Sequence, residues 1–88
     1  MRIKTGFALR KFAGKWMAVS VGGNADEKNL FITLNDTGAF VWNLLQEDIS
    51  YSEVIVAITA KYDIDETTAK ADLDEFLNKM KKAGIIDE

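Results

Sequence analysis

The chain contains no cysteine. Disulfides, thiolate zinc sites, iron–sulfur clusters and a cysteine nucleophile are therefore excluded. It contains no histidine, which removes the commonest metal ligand and the usual general base near neutral pH. It contains no proline, so no segment reads as a rigid linker or a polyproline ligand. No apolar run reaches the roughly 18 residues of a membrane span. The segment after Arg2 and Lys4 is interrupted by Arg10, Lys11 and Lys15 and has no signal-peptide h-region. The expectation is a cytoplasmic protein without a membrane partner. A basic excess is missing too: 11 Lys and Arg stand against 14 Asp and Glu, for a net charge of −3. That balance lacks the electrostatic footprint of a nucleic-acid binder.

What is present suits one domain spanning residues 1–88. The hydrophobic share is 48% and the mean hydropathy −0.07, the profile of a folded globular chain. A chain this short buries only about 60–65% of its extended surface, which gives a marginal stability of about 3–6 kcal/mol. Charge is unevenly placed. Residues 1–15 hold Arg2, Lys4, Arg10, Lys11 and Lys15 and no acid. Residues 46–75 hold Glu47, Asp48, Glu53, Asp63, Asp65, Glu66, Asp72, Asp74 and Glu75 against Lys61 and Lys70. Each block reads first as a solvated face.

The first third of the chain reads as strands. Phe7 to Phe12 is a short segment of mixed alternation, and Ala13-Gly14-Lys15 is a turn candidate. Trp16 to Val21 alternates, as does Leu30 to Leu34, with a polar break at Gly22-Gly23-Asn24 between them. Short connections make these an antiparallel meander of three strands. The rest reads as helices. Asn35 or Asp36 caps a first helix over Thr37 to Leu45, so apolar that it must be central. Ser50-x-x-Glu53 has capping-box spacing and opens a second helix with Val54, Ile55 and Ile58 inward. Asp65 caps a third, whose stripe is Ala69, Leu73, Phe76, Leu77 and Met80. Gly84 suits a helix end, and Ile85-Ile86 a short last strand. Three strands followed by three helices make an α+β fold with the two classes segregated, and the pattern resembles a winged helix-turn-helix.

No catalytic constellation stands out. Serines, threonines and lysines lack a histidine partner. The carboxylate pairs Asp72/Glu75 and Asp63/Asp65 read as solubilising and capping groups. Asp63-Ile-Asp65-Glu66 lacks the glycine and closing glutamate of a calcium loop, and Gly22-Gly23 is no phosphate loop. No cofactor is expected. A DNA-reading third helix would bring Glu66, Asp72, Asp74 and Glu75 against phosphates, while Lys79, Lys81 and Lys82 sit at its far end. DNA binding is therefore a minor alternative, beside a homo-oligomeric scaffold.

One segment is specific enough to name. Ile32-Thr-Leu-Asn-Asp-Thr-Gly-Ala-Phe-Val-Trp-Asn-Leu-Leu45 resembles the signature of the PqqD family. Lys61-Tyr-Asp-Ile-Asp65, then Ala69, Asp72 and Leu73-x-x-Phe-Leu77, is similar to the family's second half, and Lys82-Ala-Gly-Ile-Ile86 to its end. The resemblance implies a RiPP recognition element: a non-catalytic module that binds the leader segment of a ribosomally made precursor peptide. It implies presentation of that peptide to a modifying enzyme, often of the radical SAM class. It also implies addition of the leader as a strand beside the third strand, in a groove against the third helix.

On that reading the site comprises Leu30, Phe31, Ile32, Thr33 and Leu34 of the strand. From the helix it takes Ala69, Asp72, Leu73, Phe76, Leu77, Lys79 and Met80. The bare sequence lends support, since Leu30 to Thr33 has no proline and little flanking charge to protect an edge. The competing reading is that an apolar stripe at helical spacing is core. Asn35, Gly38 and Trp42 carry the resemblance and are read as structural. A homodimer through the open strand edge or the apolar helix face is a further expectation.

Overall fold

A computed structural model of the chain describes residues 1–21 and 31–87, with the backbone alone for Phe31 and Asp87. The elements run β1 (Arg2–Ile3), β2 (Phe7–Phe12), β3 (Lys15–Ser20), β4 (Phe31–Leu34), α1 (Asp36–Leu44), α2 (Tyr51–Tyr62), α3 (Glu66–Lys82) and β5 (Ile86–Asp87). The expected three-stranded antiparallel sheet is β2-β3-β4, with the three helices following it in sequence. The break at Gly22-Gly23-Asn24 lies outside the described residues.

β2 and β3 form a hairpin in which Phe12 pairs with Lys15. The connection is thus Ala13-Gly14, and both residues have positive φ, 52° and 79°. Two consecutive left-handed residues make a type I′ turn, whose twist matches that of the flanking strands. β3 then pairs with β4 in the register Trp16↔Leu34 to Val19↔Phe31. Ala18 is fully buried on the inner face, where its small side chain lets the helices approach the sheet.

Each helix begins where a polar side chain satisfies an otherwise unpaired N–H. The Asn35 side chain accepts from Gly38 N at 2.7 Å. Ser50 and Glu53 form a complete capping box. Asp65 accepts from Thr68 N at 2.8 Å. Hydrogen bonds to the charged form hold two of these carboxyls below their ordinary range: the Ser50 hydroxyl for Glu53 and the Thr68 N–H for Asp65. α2 ends on Asp63 in the left-handed region, and α3 leads into Gly84, also at positive φ.

The core lies where the three helices meet the inner sheet face. Val41, Trp42, Leu45, Val54, Ile58, Leu73, Met80 and Ile85 are its largest fully buried side chains. Burying one such aliphatic side chain is worth about 1.5–3 kcal/mol, so a chain of this size depends on all of them. Trp42, expected as core, is 2% exposed.

The sequence pattern did not show β1. It pairs antiparallel with β5, Ile3 opposite Ile86, and so ties the two ends of the described chain together. Ile3 N donates to Leu45 O at 2.9 Å and Lys4 N to Ile85 O at 2.8 Å. A two-residue strand has no periodicity to read, because only its partner defines it. Among the described residues no helix is long and apolar enough to cross a membrane.

Candidate functional site

β4 is an outer strand of the sheet, paired with β3 on one side only. In an antiparallel strand alternate residues direct N–H and C=O groups to opposite flanks. Among the described residues nothing hydrogen-bonds to the free flank of Phe31–Leu34. β2 forms the other edge, and there Arg10 and Lys11 supply the charges that discourage pairing with another chain. β4, reading Phe-Ile-Thr-Leu, has no such charge.

A cleft of about 320 Å³ opens beside β4, between that strand, the start of α1 and one face of α3. The strand contributes Thr33 and Leu34, and the turn into α1 contributes Asn35, Thr37, Gly38 and Val41. α3 contributes Asp72, Glu75, Phe76 and Lys79, and Lys15 reaches the cleft from β3. Trp16 pairs with Leu34 across the sheet, which brings the neighbouring Lys15 to this end of β4.

The cleft has an apolar floor and a charged rim. Leu34, Val41 and Phe76 are nearly or wholly buried. Lys15, Glu75 and Lys79 are exposed and Asp72 is half-buried. The helical repeat explains the division. Ala69, Leu73, Phe76, Leu77 and Met80 form the inward stripe of α3. Residues 72, 75, 76 and 79 follow each other at steps of three, one and three, so they share a face bordering that stripe. Gly38 lets the start of α1 press against the end of β4. A Cβ there would lie 3.2 Å from Asn35 Oδ1 and 3.3 Å from Leu34 Cβ.

Of the residues expected from sequence, Thr33, Leu34, Asp72, Phe76 and Lys79 line this cleft. Ile32 is half-buried and packs against the core. Phe31 is described by its place in β4 alone, and Leu30 lies outside the described residues. Ala69, Leu73, Leu77 and Met80 are in the core, with exposures of 0%, 0%, 6% and 0%. They support the cleft from behind and do not line it. The sequence reading did not assign Lys15, Thr37, Val41 and Glu75 to this site, and took Asn35 and Gly38 as structural alone. Glu75 was accessible to it, being three residues after Asp72 and four before Lys79. Lys15 was not, since its place depends on the pairing of β3 with β4.

A second depression, of about 460 Å³, lies between α2 and the start of α3, away from the open strand. Tyr51, Ser52, Ile55, Val56 and Thr59 line one wall, and Glu66 and Lys70 the other. The Tyr51 hydroxyl donates to Asp74 at 2.8 Å, and this bond to a carboxylate raises the tyrosine pKa above its ordinary value. Among the described residues no three His, Cys, Asp or Glu side chains cluster as a metal site requires.

The architecture is similar to a solved structure, TbiB1 in complex with the TbiA(beta) leader peptide. The likeness has a TM-score of 0.76 and 22% identity, and covers 99% of this chain and 95% of that one. At that identity it establishes the fold. Comparison with curated proteins gives no significant match. The match to a protein family is the more specific result. Residues 24–86, which include β4, all three helices and most of the cleft wall, fit the model of coenzyme PQQ synthesis protein D. The chain therefore belongs to the PqqD family.

Proposed function

We propose that this protein is a RiPP recognition element that captures the leader segment of a ribosomally made precursor peptide and presents it to a modifying enzyme. The observation that carries the reading is the open flank of β4 lying beside a cleft with an apolar floor. An extended peptide added there satisfies the free backbone groups and places alternate side chains toward the cleft. Family membership and the likeness to a fold solved with a leader peptide support it. The bond-making chemistry then belongs to the partner enzyme, which the family resemblance suggests is of the radical SAM class. The module itself works in the cytoplasm, where ribosomal precursors are made, and needs no cofactor.

The energetics fit a carrier. Strand addition buries about 1,000 Å², the low end for a specific interface. Ordering a disordered leader costs about 2–5 kcal/mol. A dissociation constant near 1 μM, about −8 kcal/mol, is expected, and complexes of that strength exchange readily. The test is a titration of the isotope-labelled full chain with a synthetic leader from the precursor encoded beside it. Amides of β4 and of residues 69–80 shift if the reading holds. Shifts confined to α2 or to the β2–β3 hairpin would refute it.

A further inference from the structure

Four charged side chains ring the cleft: Asp72, Glu75 and Lys79 on α3, and Lys15 on β3. None of them is ion-paired with another. Glu75 and Lys79 stand four apart with the acid first, the order and spacing that favour a pair on a helix. The same helix supplies the comparison. Glu66 and Lys70 have that spacing and order, lie away from the cleft, and form a salt bridge at 3.2 Å. The charges beside the open strand are therefore available to a ligand, and those of α3 are segregated along the helix, acids at residues 72 and 75 and a base at 79. Seven residues of helix separate Asp72 from Lys79, about 10 Å of rise. Same-face residues i and i+4 of an extended peptide are about 13 Å apart, with i+2 midway between them. The long side chains of lysine and arginine bridge the remaining difference.

Resting on the strand-addition reading, we infer that the peptide this chain selects carries residues of opposite charge at i and i+4, bracketing an apolar residue at i+2. The basic residue faces Asp72 and Glu75, the acidic one faces Lys79, and the apolar one sits on Phe76. Leaders that are uniformly acidic or uniformly basic along this face are discriminated against, since each leaves one end of the cleft facing like charge.

The probe is a set of synthetic nonapeptides on one threonine-rich extended host, with Lys-x-Leu-x-Glu, Glu-x-Leu-x-Lys, Lys-x-Leu-x-Lys or Glu-x-Leu-x-Glu at its centre. Affinities are read from amide shifts of β4 in the full-length protein at low salt. One of the two mixed orders should bind about 3- to 10-fold more tightly than either like-charged peptide, the range of two partly exposed ion pairs. Raising the salt should compress that gap. Lys79→Glu, an exposed change in the last turns of α3, should move the preference to the Lys/Lys peptide. Equal binding of all four peptides, or an unchanged ranking in Lys79→Glu, overturns the inference and leaves strand addition standing. If no peptide shifts the β4 amides, strand addition itself fails and the inference with it.

Discussion

Replacing Asn35 by alanine tests how the strand is joined to the helical layer. Asn35 follows β4 directly and caps α1, its Oδ1 accepting from Gly38 N at 2.7 Å in a half-buried setting. Alanine leaves that N–H without its partner, and losing such a cap costs about 1 kcal/mol, within a range of about 0.5–2. In a domain of this length 1 kcal/mol displaces the melting temperature by about 4–8 °C. Asn35→Asp keeps an acceptor and puts a negative charge at the positive end of α1, so it should hold or raise the melting temperature. Gly38→Ala supplies a coupling test. Its Cβ would meet Asn35 Oδ1 at 3.2 Å and Leu34 Cβ at 3.3 Å, so the cap oxygen must move. The penalty of Gly38→Ala should shrink once Asn35 is already alanine, leaving the contact with Leu34. Thermal and urea unfolding of the two single variants and the double variant measure the cycle. Equal losses for Asn35→Ala and Asn35→Asp, or strict additivity with Gly38→Ala, would refute this account of the junction.

Two other perturbations follow from local geometry. Ala13 holds φ 52° in a two-residue type I′ turn, where a Cβ is unfavourable and asparagine is preferred. Ala13→Asn should stabilise the fold by about 0.5–1 kcal/mol, and an unchanged or lower melting temperature would count against the turn assignment. Acid should weaken the helix starts. The Glu53 and Asp65 carboxyls titrate below their ordinary values because Ser50 and Thr68 hydrogen-bond their charged forms. Their contribution is therefore fully present above the unfolded-state pKa and is lost as pH falls through the lower folded-state values. Stability should decline below about pH 4, and Asp65→Asn, which keeps a capping oxygen, should flatten that decline in a urea series taken from pH 7 to pH 2.5.

Most of the helical layer was legible in the sequence, because capping and a 3.6-residue stripe are local signals. Ser50 and Asp65 each mark a start that the structure repeats, and of the two candidates Asn35 and Asp36 it takes Asn35 as the first cap. The β2–β3 hairpin was legible from Ala13-Gly14-Lys15 for the same reason, although Lys15 already belongs to β3. β1 was not, because Ile3 becomes a strand residue only by meeting Ile86 at the other end of the chain. The candidate site was legible in part. Thr33 and Leu34 followed from the position of the strand, and Asp72, Phe76 and Lys79 from the helix face beside it. The boundary between wall and core was harder to read. Leu73 and Leu77 are fixed inside the shared core cluster, which helical spacing alone does not determine. Lys15 reaches the cleft through cross-strand register, a relation between two segments that neither displays by itself.

On the proposed reading a leader peptide extends the sheet at β4 and not at β2. Amide hydrogen exchange in the full chain, with and without a saturating synthetic leader peptide, addresses it directly. Outward-facing amides within residues 31–34 should exchange at least about 10-fold more slowly in the complex, as new ladder hydrogen bonds cover them. The amides of Phe7–Phe12 on the opposite edge should keep their rates. Protection that appears on β2, or binding that leaves the β4 amides unchanged, would contradict the claim.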